Sequence, residues 1–556
     1  MAGENVLIAT LQTVSPILCT PRIISHSMIY QLIALIGSFV LSLLLTPIFR
    51  RVSVAIGMVD HPDSHRKLHR EPIAICGGPT ILVTSFFAAC FIPFLDPSIR
   101  YGFLNNPWPI LGLIGGALAI VVLGMVDDKF TLRGRQKLFG QIAVCLWMVF
   151  CGYRIVNIEL FGLHINMAIL MVPVSVLWLL MTINSLNLID GADGLCSSVG
   201  WIASAGIAVI ATLIGHPLEA TIAAGLAGSL LGFLVYNFPP AKVFLGDSGS
   251  MLVGLILGAL AVRASLKGPT SVSLLAPVAI FAIPFFDSGI AILRRKLTGR
   301  SIFSTDRGHI HHSMLRWGLS NRGLVVAINV ACGITAIGAI FSTSMGNPAI
   351  AVISVICVLG ALVASRAFGH AELQLLSSRT YHFCGSLMPK SQSNRAVGSH
   401  HAIRFQGNRG WETVWNSLME FAEKHNLAKV SLDLNVPWLH EGFHASWSRT
   451  RTPEEANLWK SQLPVFANNR PLGKMVLIGR MENVNAVSVL NELAEMMEGL
   501  QSVLRELASE PEIHRDQKAT VSNADTVSMS LDDSVDSTLV LPQVSNARSE
   551  SSSLSS

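Results

Sequence analysis

Eleven stretches of this chain are apolar over lengths that approach the thickness of a bilayer, and a water-soluble fold would have to bury all of them. A helix needs about 20 residues to cross the ~30 Å hydrocarbon layer. The runs lie near 28–49, 78–95, 109–126, 138–153, 168–184, 195–214, 218–236, 248–263, 273–293, 323–342 and 347–367. A mean hydropathy of +0.52 with only 13% charged residues fits that reading. The expected fold is an all-α polytopic membrane protein of about eleven transmembrane helices. In the first 26 residues Arg22 is the only Lys or Arg, and no small-residue cleavage site follows. The first apolar segment is therefore expected to stay as a membrane helix, with 1–27 as an extracytoplasmic segment. The nine cysteines form no CxxC pair, so neither a zinc ribbon nor a disulfide framework is expected.

Loop charge orients the bundle. Loops 50–77, 127–137, 185–194, 237–247 and 294–322 carry 17 Lys and Arg, whereas the opposite loops carry only Arg100, Arg154, Arg263 and Lys267. The positive-inside rule places the first set in the cytoplasm, making this a multi-pass protein of the cytoplasmic (inner) membrane. Every conspicuous carboxylate and histidine motif then falls on that side, as if several loops assembled one site.

The composition changes after the last apolar run. Residues 28–367 read as the membrane domain and 368–399 as a linker. Residues 400–508 read as a small cytoplasmic α+β domain, with strands at His401–Phe405, Val430–Leu434 and Lys474–Ile478 and helices near 411–425 and 484–507. The Ser-rich tail 509–556 has few large apolar side chains and reads as disordered.

Carboxylates near a bilayer are expensive, at roughly 2.5–3.5 kcal/mol each at a helix centre, so they usually have a task. Gly124-Met125-Val126-Asp127-Asp128 closes the third helix. Adjacent carboxylates repel, and a bound cation or a nearby Lys offsets that repulsion; a solvated loop start is the bland alternative. The loop Asn184 to Gly194 spaces Asn187, Asp190 and Asp193 by three, with Gly191 and Gly194 permitting close backbone approach. Such oxygens suit a hard cation such as magnesium, although Asn, Asp and Gly also simply make turns. Asn237-Phe238-Pro239-Pro240 leads through Phe244 to Gly246-Asp247-Ser248-Gly249-Ser250, where Asp247 sits near the amino end of the eighth helix. There it can face a metal or a phosphate, or act only as a cap. Phe244 is a packing residue or a platform for a nucleobase. Thr305-Asp306-Arg307-Gly308-His309-Ile310-His311-His312 offers three imidazoles, better suited to a pyrophosphate than to zinc because no Cys lies nearby. Asp287, inside the ninth helix, is either functional or paired with a neighbouring Lys or Arg.

In this order the motifs resemble the polyprenyl-phosphate N-acetylhexosamine-1-phosphate transferases. The resemblance covers about 28–367, and Asp-Arg-x-His-x-His-His with Arg66-Lys67-x-His69 is similar to the branch that uses GlcNAc. It implies transfer of a sugar 1-phosphate from a UDP-N-acetylhexosamine to polyprenyl phosphate with release of UMP, the first membrane step of a cell-envelope glycan pathway. It also implies magnesium, with manganese as a substitute. Carried onto this chain, Asp247, Asp128 and Asn187 would hold the metal, and Asp127 and Asp128 would serve the lipid phosphate. Asn187, Asp190, Asp193, Asn237 and Phe244 would form the nucleotide pocket. Arg307, His309, His311 and His312 would meet the pyrophosphate, and Lys67, His69 and Lys137 would complete the substrate contacts. A homodimer is expected from the resemblance alone, and no nucleic-acid partner is expected. Ala74 and Ile75, after Pro72, depart from the family, which shows a second Pro and a basic residue there. The competing readings are a phospho-MurNAc-pentapeptide transferase and, from another class, a transporter, which would need mid-bilayer charges and inverted repeats.

Overall fold

Helix α1 (Pro21–Ala55) begins a mostly helical structure. The computed structural model describes residues 21–60, 72–95, 100, 104–160, 163–265, 274–297, 308–374, 376–377, 380, 399–406, 409–436, 441–449, 458–467, 470–480 and 486–509. Lys67, His69 and Arg307, most of the linker and nearly all of the Ser-rich tail lie outside the described residues.

The membrane part continues with α2 (Gly77–Leu95), α3 (Trp108–Phe130), α4 (Gly134–Phe150), α5 (Met171–Ile189), α6 (Leu195–Leu213) and α7 (Pro217–Asn237). Then come α8 (Gly246–Ser265), α9 (Leu275–Ile280), α10 (Ala282–Leu297), α11 (Ile310–Arg316), α12 (Asn321–Met345) and α13 (Pro348–Ala364). Helix thus occurs at each of the eleven expected places, but among the described residues seven helices are long and apolar enough to cross a membrane. Two further apolar helical stretches, Gly77–Phe87 and Pro348–Ala364, are shorter. The expected helix over 273–293 is broken at Phe281. Pro284 has no N–H to offer Ile280, and its ring crowds that carbonyl, so α9 stops there and α10 starts afresh.

Helix α8 is the axis of the bundle, packed against α2, α3, α5 and α6. Its apolar stretch is 89% buried, against 22% for that of α1. Small residues make this possible. A Cβ on Gly124 of α3 would strike the backbone of Ser248, and one on Gly258 of α8 would strike Thr182 of α5. This close approach brings the carboxyl ends of α3 and α5 to the amino end of α8.

The all-α expectation needs amending, because small sheets accompany the helices. Strands β1 (Val59–Asp60), β2 (Ile73–Ile75) and β5 (Val243–Phe244) form one, with β2 parallel to β5. β3 (Asn157–Leu160) and β4 (Leu163–Asn166) form a hairpin. The departures at Ala74 and Ile75 are strand residues, paired with Val243 and Phe244. Towards the carboxyl end, β6 (Ser399–Gln406), β7 (Lys429–Val436), β8 (Glu441–Ser448), β9 (Leu458–Ala467) and β10 (Arg470–Arg480) make an antiparallel sheet in the order β6-β8-β7-β10-β9. Helices α14 (Trp411–Lys424), α15 (Ala486–Gly499) and α16 (Gln501–Leu507) accompany it, and the region has its own core around Trp411, Trp415 and Phe443. Strands β8 and β9 were not anticipated, and the expected helix over 484–507 is two helices meeting at Leu500.

Candidate active site

The described part of α3 runs through Phe130, so Asp127 and Asp128 lie in its last turn rather than in a loop. Adjacent positions on a helix point about 100° apart. The pair therefore separates instead of sharing one task. Asp127 turns towards α4, where Lys137 Nζ lies 2.8 Å from its Oδ2. Its Oδ1 accepts the Leu132 N–H at 2.8 Å. Asp128 turns towards α8, where Oδ1 accepts the Asp247 N–H at 2.8 Å and Oδ2 the Ser248 N–H at 3.2 Å. A carboxylate of one helix thus caps the start of another, where the N–H groups and the helix dipole favour negative charge.

Lys137 is the hub. Besides Asp127, its ammonium donates to Asp247 Oδ2 at 2.9 Å and to Asn187 Oδ1 at 3.1 Å. Asn187 is also helical, in the last turn of α5, and its amide donates to Asp247 Oδ1 at 2.5 Å and Ser250 Oγ at 3.0 Å. Asn184, one turn earlier, donates to Gln141 Oε1 at 2.9 Å, and Gln141 Nε2 donates to Met251 Sδ at 3.1 Å. Three helices thus hold one cation among three oxygens. The Asp247 side chain stays 36% exposed, so it can still meet a ligand.

Beyond α5 the chain turns at Asp190. Asp190 makes no hydrogen bond to another described residue, and burial, then the negative charges of Asp247, Asp128 and Asp193, push its pKa well above the usual carboxylate range. Asp193 instead braces the turn before β5, accepting the Ala241 N–H at 3.0 Å. Asn237 is buried, with its Oδ1 accepting from Ser197 Oγ at 2.7 Å and its Nδ2 donating to the Val243 carbonyl at 2.9 Å. Any contact it makes with a ligand would be through the loop it shapes. Phe244 lies in β5, three residues before Asp247 and half-buried.

The histidines join this assembly from α11. The His311 ring lies where a Cβ on Gly191 would be, so the absence of a side chain there admits the imidazole. Burial, then the charge of His312, lowers the His311 pKa to about 3. His309 stacks parallel to His311 with centroids 5.9 Å apart, and His312 lies 4.2 Å from His311. Asp287 of α10, left open by the sequence, is buried against His309: its Oδ2 is 2.9 Å from Nδ1, and its Oδ1 accepts the Ile310 N–H at 2.8 Å. Sequence reasoning passed over Gln141, which its place one helical turn after Lys137 could have marked, and it gave Asn184 and Ser250 no role of their own within the motifs that contain them.

The residues fit a hard divalent cation in part. Oxygens of Asp247, Asn187 and Asp127 already surround a positive charge, but at 2.8–3.1 Å, an ammonium distance rather than the 2.0–2.1 Å of magnesium. Among the described residues no group of three His, Cys, Asp or Glu is gathered as a ready ligand set. Asp128 has both oxygens engaged by α8.

Comparison with known proteins identifies a family. Residues 110–265, from α3 to α8, match the family model described as glycosyl transferase family 4. The "Probable undecaprenyl-phosphate N-acetylglucosaminyl 1-phosphate transferase" of Bacillus subtilis (strain 168) is 34% identical over 323 residues, spanning 58% of this chain and 86% of that protein. The decaprenyl-phosphate N-acetylglucosaminephosphotransferase of Mycobacterium leprae is 36% identical over 310 residues, 51% of this chain and 76% of its own length. The phospho-N-acetylmuramoyl-pentapeptide-transferase of Halalkalibacterium halodurans is 30% identical over 305 residues, 51% of this chain and 90% of its own. The chain belongs to glycosyl transferase family 4.

Proposed function

We propose that this protein transfers N-acetylglucosamine 1-phosphate from UDP-N-acetylglucosamine to a polyprenyl phosphate such as undecaprenyl phosphate, releasing UMP on the cytoplasmic side of the inner membrane. The Lys137 hub at the junction of α3, α4, α5 and α8 carries this reading. Phosphoryl transfer needs charge neutralisation and in-line positioning more than covalent chemistry from the protein. The substrate pyrophosphate and the lipid phosphate both bring negative charge to that hub, where Lys137 can pair with it. Asp127, part of the hub through its ion pair with Lys137, takes the residual proton of the lipid phosphate. An oxygen of that phosphate bonds to the sugar-bearing phosphorus as the bond from that phosphorus to the bridging oxygen breaks, and UMP leaves. His309 and His311 meet the pyrophosphate, with Asp190, Asp193 and Phe244 framing the nucleotide end. Magnesium, or manganese in its place, would be held by Asp247 and Asn187 and would supply further charge neutralisation. Asp128 acts by placing Asp247.

The transporter reading is disfavoured because the carboxylates gather at helix ends rather than along a path. Residues 400–508 form a separate cytoplasmic domain in this account, and a homodimer is retained as part of the proposal. Purified protein supplied with undecaprenyl phosphate, magnesium and a panel of UDP-sugars should release UMP fastest with UDP-N-acetylglucosamine. Release only with UDP-MurNAc-pentapeptide would overturn the sugar assignment, and no release with any UDP-sugar would overturn the activity.

A further inference from the structure

We infer that a second phosphate-binding site lies beside the histidine segment, apart from the transfer site, and takes the phosphate of an anionic lipid or a free phosphate ion. A cavity of about 190 Å³ opens between α11 and the turn that follows α13. None of its lining residues belongs to the Lys137 hub.

Its charge is one-sided. Arg294, Arg316, Arg366 and His370 line it, against Glu372 as the lone carboxylate of the lining. Glu372 is already engaged in a buried ion pair with Arg294. Glu372 and, from β8, Glu441 offset part of the charge of Arg316, but the lining still sets three guanidinium groups against one carboxylate. Arg316 donates to Ser313 Oγ at 2.9 Å, a neutral partner that holds the guanidinium without cancelling its charge. A phosphate oxygen is a geometric match for such groups.

The backbone supplies an independent sign. Arg366 has φ +58°, the left-handed conformation in which a helix-terminating residue is usually glycine. Its N–H bonds the Val363 carbonyl at 3.0 Å, and Phe368 N–H bonds that of Leu362 at 3.2 Å, so the conformation is fixed by the end of α13. A side chain costs strain there, and strain of this kind collects at functional positions. Trp317, 54% exposed, stands at the rim only four residues before the candidate span of α12 begins. Exposed Trp favours the headgroup level of a bilayer, and basic pockets between membrane helices take anionic headgroups there.

The test uses the full-length purified protein. Native mass spectrometry after mixing with phosphatidylglycerol or phosphatidylcholine reads lipid retention, and equilibrium dialysis with labelled inorganic phosphate reads the free ion. Phosphatidylglycerol should be retained over phosphatidylcholine, and Arg316→Ala and Arg366→Gly should each lower its affinity about tenfold, the loss of one charge-assisted contact. Glycine relieves the strain at position 366, so that variant should keep its thermal midpoint and report binding alone. Phosphate binding that is sensitive to both substitutions, without lipid preference, would assign the free ion instead. Equal binding of both probes by wild type and both folded variants would overturn the site.

Discussion

Helices α8 and α11 both begin at side chains proposed to touch substrate, and each begins on a carboxylate supplied by another helix. At α8 the cap is Asp128, which accepts two backbone N–H groups and leaves the Asp247 side chain to Lys137 and Asn187. At α11 the cap is Asp287, which divides itself between the Ile310 N–H and the imidazole of His309. The first carboxylate positions a backbone, whereas the second also fixes a ring, since a carboxylate can only accept and so selects the proton on Nδ1. Helix α8 has 20 residues locked in the bundle core, but α11 has only seven and depends on its cap and its contact with Gly191 for its place. The same device thus anchors the reacting centre in one case and orients an imidazole in the other.

Substitutions can break this comparison, and the largest effect belongs to the hub that both helices serve. Lys137→Met leaves Asp127 and Asp247 facing each other without a cation, and activity should fall by about 10²–10³, as for loss of a preorganised electrostatic group. Steady-state UMP release checks it. Asp128→Asn keeps one acceptor of two. With a hydrogen bond to a charged group worth about 1.5–3 kcal/mol, it should lower the thermal midpoint and cut kcat about tenfold while KM for the UDP-sugar changes less. An unchanged kcat would show that the cap does not govern Asp247. Asp287→Asn should have a smaller effect on rate. Its signature is a KM for the UDP-sugar that rises more than kcat falls, because an amide has only one oxygen to share between the Ile310 N–H and the His309 ring.

The smallest effect is on stability with pH. The His311 pKa falls from 6.5 to about 3 in the folded protein, so below 6.5 the unfolded chain binds a proton that the folded one refuses. The stability from His311 is complete above pH 6.5 and is lost as pH falls towards 3. Thermal midpoints of His311→Gln should decline less over that window than those of wild type. Parallel declines would remove His311 as the cause.

Much of this was legible in the sequence. Apolar length located the helices, and Asp247 was expected at the amino end of its helix, where it lies. The separate fates of Asp127 and Asp128 were not, because ending the third helix at 126 treats both as loop residues. Extended to Phe130, the helix turns them to different neighbours. The break at Phe281 was written in Pro284, but an unbroken apolar run concealed it. Strand β8 escaped because it lies between β6 and β7 and is buried on both faces, so Gly442-Phe443-His444-Ala445 shows no alternation. Strand β9 escaped because Pro464 argues against a strand, yet β9 is at the sheet edge, where proline is tolerated. Contacts between distant segments, such as His311 on Gly191, leave no local signature at all.

The most direct test is exchange of labelled UMP into UDP-N-acetylglucosamine in the presence of undecaprenyl phosphate, comparing wild type with Asp247→Asn at equal amounts of folded protein. With Asp247 at the centre of the transfer site, exchange by the variant should fall to background. Exchange near the wild-type rate would contradict the assignment of that site.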